Sequence, residues 1–278
     1  MNSLSKARQS GLGRLRNHPM SKRILAFEGI DNFRDYGDYA TTAGKTLKSG
    51  RLYRSANHAM ATDDDLAGMA ALGIAHVVDL RRPAERLRQP SRRPADFVSN
   101  VIENHEGDQQ EAPHVAFLRE TDLTEGEVHA FMLNYYDNAP FEPRHLDLFS
   151  RYFQAIASGD GPVLVHCAAG KDRTGILAAL THHVLGVHHD DLMEDYLLTN
   201  IAARIEARAP MATEMMRESF GREPSAAAVR AFLGVDASYL DKALAAINTQ
   251  YGDLDAYLDT ALGVDRAVRD KVSHQLLD

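Results

Sequence analysis

The chain has no tryptophan, a single cysteine and no apolar run of membrane-spanning length. Each absence excludes something. One cysteine leaves no intrachain disulfide, and an isolated thiol suits a reducing compartment. A cytoplasmic location is therefore expected, with export by an unconventional route left open. Without about 18 consecutive apolar residues, no integral membrane helix is expected. The first residues carry Lys6, Arg8, Arg14 and Arg16 with no apolar core among them, which is not a secretory signal. Residues 1–22 read as a flexible basic segment. Positive charge is also in short supply, because 31 Lys and Arg face 39 Asp and Glu for a net charge of −8. That argues against a nucleic-acid partner and against bulk membrane affinity, though not against a local basic patch. No internal repeat marks a solenoid, and nothing fixes an oligomeric state.

What is present reads as one α/β domain from residue 23 to 278. Ile30–Gly37 leads through the turn at Ala40–Lys45 into a hairpin. Short strands are expected at Leu52–Arg54, Ile74–Leu80, Phe97–Val101 and Val163–Val165. Thr62 caps a helix whose first turn holds Asp63, Asp64 and Asp65, where carboxylates suit the helix dipole. Residues 103–127 lose periodicity and read as an acidic loop. Helices follow at about 127–136 and 143–157. From about 187 the pattern is almost wholly helical, at 190–208, 211–220, 225–233, 236–250, 252–262 and 264–277. Met211, Met215, Met216 and Phe220 offer a face that either joins the core or closes over a site as a lid. His182, His183, His188 and His189 lack the spacing of a metal set.

The chain is organised around Pro162–Gly175. Val163–Val165 is too short for a helix and reads as a buried strand that delivers Cys167 to a glycine-bearing loop, which then opens a helix near Thr174. The N–H groups of residues 168–173, from Ala168, Ala169, Gly170 and Lys171 onward, converge in front of that helix as an oxyanion cradle. Arg173 adds a planar two-pronged donor. Such positive surroundings favour the thiolate, the nucleophilic form of cysteine. From average composition, His, Cys, Gly, Arg and Ser/Thr meet at this spacing by chance at roughly 10⁻⁷ per starting position.

The string HCAAGKDRTG resembles the signature loop of the cysteine-dependent protein tyrosine phosphatases, and most of all the bacterial branch active on phosphotyrosine and in several cases on phosphoinositides. Asn32-Phe33-Arg34-Asp35 and Asp79-Leu80-Arg81 with Glu85 resemble two further elements of that branch; Asp38 stands where its relatives carry a second glycine. The resemblance implies a central, mostly parallel sheet flanked by helices, with a helical C-terminal extension. It implies a phosphoric monoester hydrolase that needs no cofactor or metal, in which Cys167 attacks phosphorus and Arg173 holds the equatorial oxygens. His166 would order the loop, Thr174 would donate to the departing sulfur, and Lys171 would add charge for an inositol headgroup. Partners would be a phosphorylated protein or a phosphoinositide.

Two carboxylates compete for the general acid. Asp172 lies within the loop and is favoured by the resemblance, whereas Asp79 ends a neighbouring strand on the edge where α/β proteins bind ligands. The Trp-Pro-Asp loop of the animal enzymes is excluded, since there is no tryptophan. The arginine-rich segment 81–93, a loop by its prolines, either is solvated or draws a polyanion toward the cradle, with Arg81 the nearest candidate. Two other functions fit a cysteine loop: a phosphate-binding module without turnover, and a rhodanese-like sulfurtransferase, which the Arg-Thr ending disfavours.

Overall fold

The computed structural model describes residues 22–94, 96–106, 113–221 and 224–278. The basic start at residues 1–21 lies outside them. Five short strands, β1 (Arg34–Asp35), β2 (Leu52–Ser55), β3 (His76–Asp79), β4 (Asn100–Ile102) and β5 (Val163–His166), form one sheet in the order β1-β2-β5-β3-β4. Only β1 runs antiparallel to its neighbour, so the expected mixed, mostly parallel α/β sheet is present.

The central strands are apolar because they are covered on both faces. Alternate residues point to opposite sides. Leu52, Val78, Val163 and Val165 enter the larger core, which also takes Phe149, Tyr152, Leu177 and Leu180. Tyr53, Val77 and Leu164 enter a smaller one with Ile30, Phe33 and Met69. In register, Ser55, His166 and Asp79 stand side by side at the carboxyl edge. The chain after β5 therefore leaves the sheet where a ligand can meet it.

Helices α1 (Asp63–Ala71), α2 (Pro83–Arg88), α3 (Pro113–Glu120), α4 (Glu125–Asn138), α5 (Pro143–Ser158) and α6 (Asp172–Val184) flank the sheet. Asp65 explains the acidic cluster without metal chemistry: its carboxylate accepts from the N–H groups of Glu28, Gly29 and Thr62 at 2.7–3.0 Å, completing a capping box. Two loop expectations are corrected. The arginine-rich segment opens with α2 because Pro83 sits in the first turn and Glu85 accepts from the Arg82 N–H at 2.7 Å. The acidic stretch contains α3, whose Leu118 is buried against Leu123, Met216 and Val229; its burial is tertiary and leaves no local period to read. Strand β4 starts at Asn100, later than expected.

Beyond α6 the chain is helical: α7 (His189–Leu197), α8 (Thr199–Ala202), α9 (Ile205–Phe220), α10 (Ala226–Leu233), α11 (Ala237–Tyr251), α12 (Leu254–Thr260) and α13 (Arg266–Leu276). The expected single helix over 190–208 is broken at Arg204, which takes a left-handed backbone with φ 50°, and α9 then runs through Pro210. Tyr239, Leu240, Tyr257, Leu258 and Val272 lie in the same core as β5, so these helices complete the interior. Among the described residues no helix is long and apolar enough to cross a membrane.

Four histidines, His58, His145, His166 and His182, are at most 1 % exposed. Burial holds all four below the ordinary imidazole value, His145 to about 3 and His166 to about 4. The unfolded chain takes up protons near pH ~6.5 and the folded one only lower, so this stability is complete above ~6.5 and falls as pH drops toward 4. Asp35, raised by burial against the bonds from Gly50 and Gly37, works the opposite way as a single group. Urea unfolding is expected to show lower stability at pH 5.5 than at pH 7.5, by at most ~1.4 kcal/mol for each histidine over the whole interval. Equal stability at the two values would contradict it.

Candidate active site

The loop from Cys167 to Lys171 is turned inside out relative to an ordinary turn. Its carbonyls face the protein and are fastened there. Ala168 O accepts from Asn57 N at 3.1 Å and Asn57 Nδ2 at 2.9 Å. Ala169 O and Gly170 O accept from Asn32 Nδ2 at 3.1 and 2.8 Å, and Gly170 O also from Arg54 Nη2 at 3.0 Å. The N–H groups of residues 168–173 have no acceptor in the chain among the described residues. They stand at the N-terminus of α6, where unsatisfied donors and the helix dipole favour an anion. Gly170 has φ +65°, and a Cβ there would come within 2.2 Å of Ser55 O. The glycine is required by the neighbouring strand end at its back.

Behind the fastening residues lies a buried charge cluster. Asp195 of α7 accepts from Arg34 Nε at 3.0 Å and Arg54 Nη1 at 2.7 Å, and all three side chains are nearly inaccessible. Arg34 Nη1 also donates to Asn32 Oδ1. Burial raises the cost of the Asp195 charge, but the two guanidiniums outweigh it and hold the carboxyl far below its usual range.

Arg173 reaches the same cavity as Cys167. Its Nη1 donates to Glu85 Oε2 at 2.6 Å and Leu80 O at 3.1 Å, and its Nη2 to Glu85 Oε1 at 2.8 Å. Both protons of Nη1 and one of Nη2 are thereby committed. The Nε–H and the second Nη2 proton form the remaining edge, a parallel pair suited to two oxygens of one phosphoryl group. Glu85 aims the guanidinium as well as neutralising it.

The other expected residues separate into two groups. Asp172 lines the Cys167 cavity, and its Oδ1 accepts from Tyr136 at 2.9 Å. Lys171 also lines it, but its ammonium is engaged by Phe232 O at 2.5 Å and Gly234 O at 3.2 Å, at the end of α10. The Thr174 hydroxyl is buried with no hydrogen-bond partner among the described residues. Asp79 and Arg81 are not brought to the cavity. They pair with each other at 2.7 Å, are each 1 % exposed and line a separate hollow together with Arg86 and Arg93. The strand end placed Asp79 on the right edge, but the adjacent arginine took its carboxylate. Asp79 instead stands 3.6 Å from His166, whose ring packs on His58 at 4.4 Å.

The cavity encloses about 530 Å³. Its floor is Cys167, 2 % exposed, with Ala168, Ala169 and Arg173. Phe131, Met132 and Tyr135 of α4 form one apolar wall, and Leu118, Met215 and Phe232 come from α3, α9 and α10. Of the methionine face, Met215 meets the cavity, Met216 is buried and Met211 is 74 % exposed; the Phe220 side chain lies outside the described residues. Arg82, Arg88 and Arg144 line the cavity as well. Arg82 and Arg144 both bond Glu142. Arg88 is exposed.

A model of the tyrosine phosphatase family matches residues 25–278. The chain belongs to that family. A Cupriavidus necator protein provisionally named a tyrosine-protein phosphatase is 36 % identical over 243 residues, covering 87 % of this chain and 85 % of its own. The triple specificity protein phosphatase PtpB of Mycobacterium tuberculosis is 32 % identical over 283 residues, covering 91 % and 99 %. Among solved structures, TpbA of P. aeruginosa aligns at 19 % identity over 70 % of this chain and 96 % of that one, with a TM-score of 0.31, a correspondence too loose to carry weight.

The residues that shape this tyrosine phosphatase's loop were largely missed in the sequence. Asn32 and Arg34 belong to the recognised NFRD string, whose meaning now appears: it fastens the loop carbonyls. Asn57, Arg54 and Asp195 carried no signal, because each meets its partner only across more than a hundred residues. Asn32→Ala is expected to weaken competitive inhibition by inorganic phosphate about tenfold, since Ala169 O loses its donor and Gly170 O keeps only Arg54 Nη2. Unchanged inhibition with unchanged thermal stability would show that the loop holds its shape without Asn32.

Proposed function

We propose that this phosphatase hydrolyses phosphotyrosine through a cysteinyl-phosphate intermediate. One observation carries the reading: the sulfur, the free guanidinium edge of Arg173 and a ring of unpaired N–H groups share one cavity floor. In the first step the Cys167 thiolate forms an S–P bond as the P–O ester bond breaks, and the leaving oxygen takes a proton from Asp172. In the second, water attacks phosphorus, the S–P bond breaks and inorganic phosphate departs. The loop N–H groups and Arg173 hold the three equatorial oxygens throughout; positioning and charge stabilisation supply most of the rate in such transfers, so no metal step is required. Thr174 is the donor proposed for the leaving sulfur, an assignment its unpartnered hydroxyl supports. His166, pinned between His58 and Asp79, orders the backbone before the nucleophile.

The aromatic and methionine walls support an aryl ester, whose ring they would cover. Arg88 favours a second reading, a phosphoinositide headgroup, because an exposed guanidinium at the cavity suits a further phosphate. Phosphoserine and phosphothreonine esters share the chemistry and form the third arm of the assay.

Turnover of p-nitrophenyl phosphate in EDTA, lost in Cys167→Ser while phosphate binding persists, is the expected outcome. Binding without turnover in the native chain would make it a phosphate-binding module, and thiosulfate turnover a sulfurtransferase. Asp172→Asn is expected to lower kcat on phenyl phosphate by about 10²–10⁴-fold and much less on p-nitrophenyl phosphate. Asp79→Asn should leave that contrast unaltered, and the reverse pattern would transfer the acid role to Asp79.

A further inference from the structure

Asp172 is held from behind by two phenols that line no part of the Cys167 cavity. Tyr136 of α4 donates to Asp172 Oδ1 at 2.9 Å, and the Tyr136 and Tyr196 hydroxyls lie 2.7 Å apart. A phenol has one proton. With that of Tyr136 given to Asp172, the bond between the phenols has Tyr196 as donor, and the chain points one way, from α7 through α4 to the carboxyl. Both tyrosines are buried, at 0 % and 1 % exposure. Tyr196 is seated against Gly175, where a Cβ would come within 2.9 Å of its ring.

The other groups facing Asp172 do not compete for the oxygen that remains. Lys171 stands 3.7 Å from Oδ2, beyond hydrogen-bond reach, because the carbonyls of Phe232 and Gly234 hold its ammonium. Arg173 is turned to Glu85 and Leu80. Burial, followed by the Asp172 charge, pushes the Tyr136 phenol well above its ordinary value, so it stays a donor across the working range.

We propose that Tyr136, itself held by Tyr196, is a positioning residue for the phosphatase reaction: by occupying Oδ1 of Asp172 it leaves Oδ2 to carry the proton to the leaving group. The assignment rests on Asp172 being the acid. In the step it serves, the P–O bond breaks, the Oδ2 proton passes to the departing oxygen, and the resulting carboxylate keeps the same bond from Tyr136. The carboxylate recovers a proton from the water that attacks in the second step. An oxygen accepting from a phenol in both protonation states fixes the carboxyl plane, which is the orientation a short-lived proton transfer depends on.

The test is the dependence of kcat and KM on leaving group, from p-nitrophenyl to phenyl phosphate, in the native chain, Tyr136→Phe, Tyr196→Phe, Asp172→Asn and the Tyr136→Phe/Asp172→Asn pair. Tyr136→Phe is expected to lower kcat about tenfold on phenyl phosphate, from one lost hydrogen bond, with little change on p-nitrophenyl phosphate and no change in KM. Tyr196→Phe should act in the same direction and less, and it carries the test alone if Tyr136→Phe does not fold. The double variant should be no slower than Asp172→Asn. An equal loss on every substrate, or losses that multiply in the double variant, would overturn the assignment of Tyr136 while leaving Asp172 in place. A flat leaving-group response in Asp172→Asn would instead remove Asp172 as the acid, and this role of Tyr136 with it.

Discussion

The site depends on carbonyls being pulled away from it. A tight loop that presents its N–H groups to one point must turn its carbonyls outward, and buried carbonyls without donors are costly. Asn57, Asn32 and Arg54 supply those donors; Arg54 is fixed in turn by Asp195, and Asn32 by Arg34, the second buried arginine on the same carboxylate. A buried ion cluster of this kind contributes little net stability on its own, because desolvation offsets most of the attraction. Its effect here is geometric. It makes one loop shape much better satisfied than its alternatives, and the anion site follows from that shape.

The same logic extends to the side chains around the sulfur. Arg173 is held on one edge by Glu85 and keeps the other; Asp172 is held at one oxygen by Tyr136 and keeps the other. In both cases a second residue consumes the surplus hydrogen-bonding capacity of the first and leaves a defined remainder. Pre-organisation of this sort lowers the reorganisation needed when charge develops. Lys171 is the exception, since its donors go to the end of α10 and tie the Cys167 loop to the helices beyond α6.

The sequence made the chemistry legible and the support illegible, for a physical reason. Cys167, Gly170, Arg173 and Thr174 lie within one short string because a loop and a helix turn bring local neighbours onto one centre, so their spacing alone carries the geometry. The unbroken apolar run Val163, Leu164 and Val165 likewise announced a buried strand, one that the structure covers on both faces. Support is non-local. Arg34 and Asp195, or Glu85 and Arg173, meet only after the sheet and helices have assembled, and no periodicity encodes such a meeting. Asp79 shows the limit well: strand register fixed its height beside His166, but not whether Arg81 would claim it. The helix α3 was hidden for a related reason, since Leu118 packs against residues about a hundred positions away.

The separation between the loop and its fastenings also bears on when the protein becomes an enzyme. Asn32 reaches Ala169 across 137 residues and Arg34 reaches Asp195 across 161. A nascent chain that has emerged only as far as Thr174 holds the signature string and the donors Asn32, Arg54 and Asn57, but not Asp195, the carboxylate on which Arg34 and Arg54 are anchored, until α7 has left the ribosome and docked. The buried charge cluster behind the loop is thus closed only by a residue made after the signature string, so the shape of the anion site is secured later in synthesis than its chemistry is spelled.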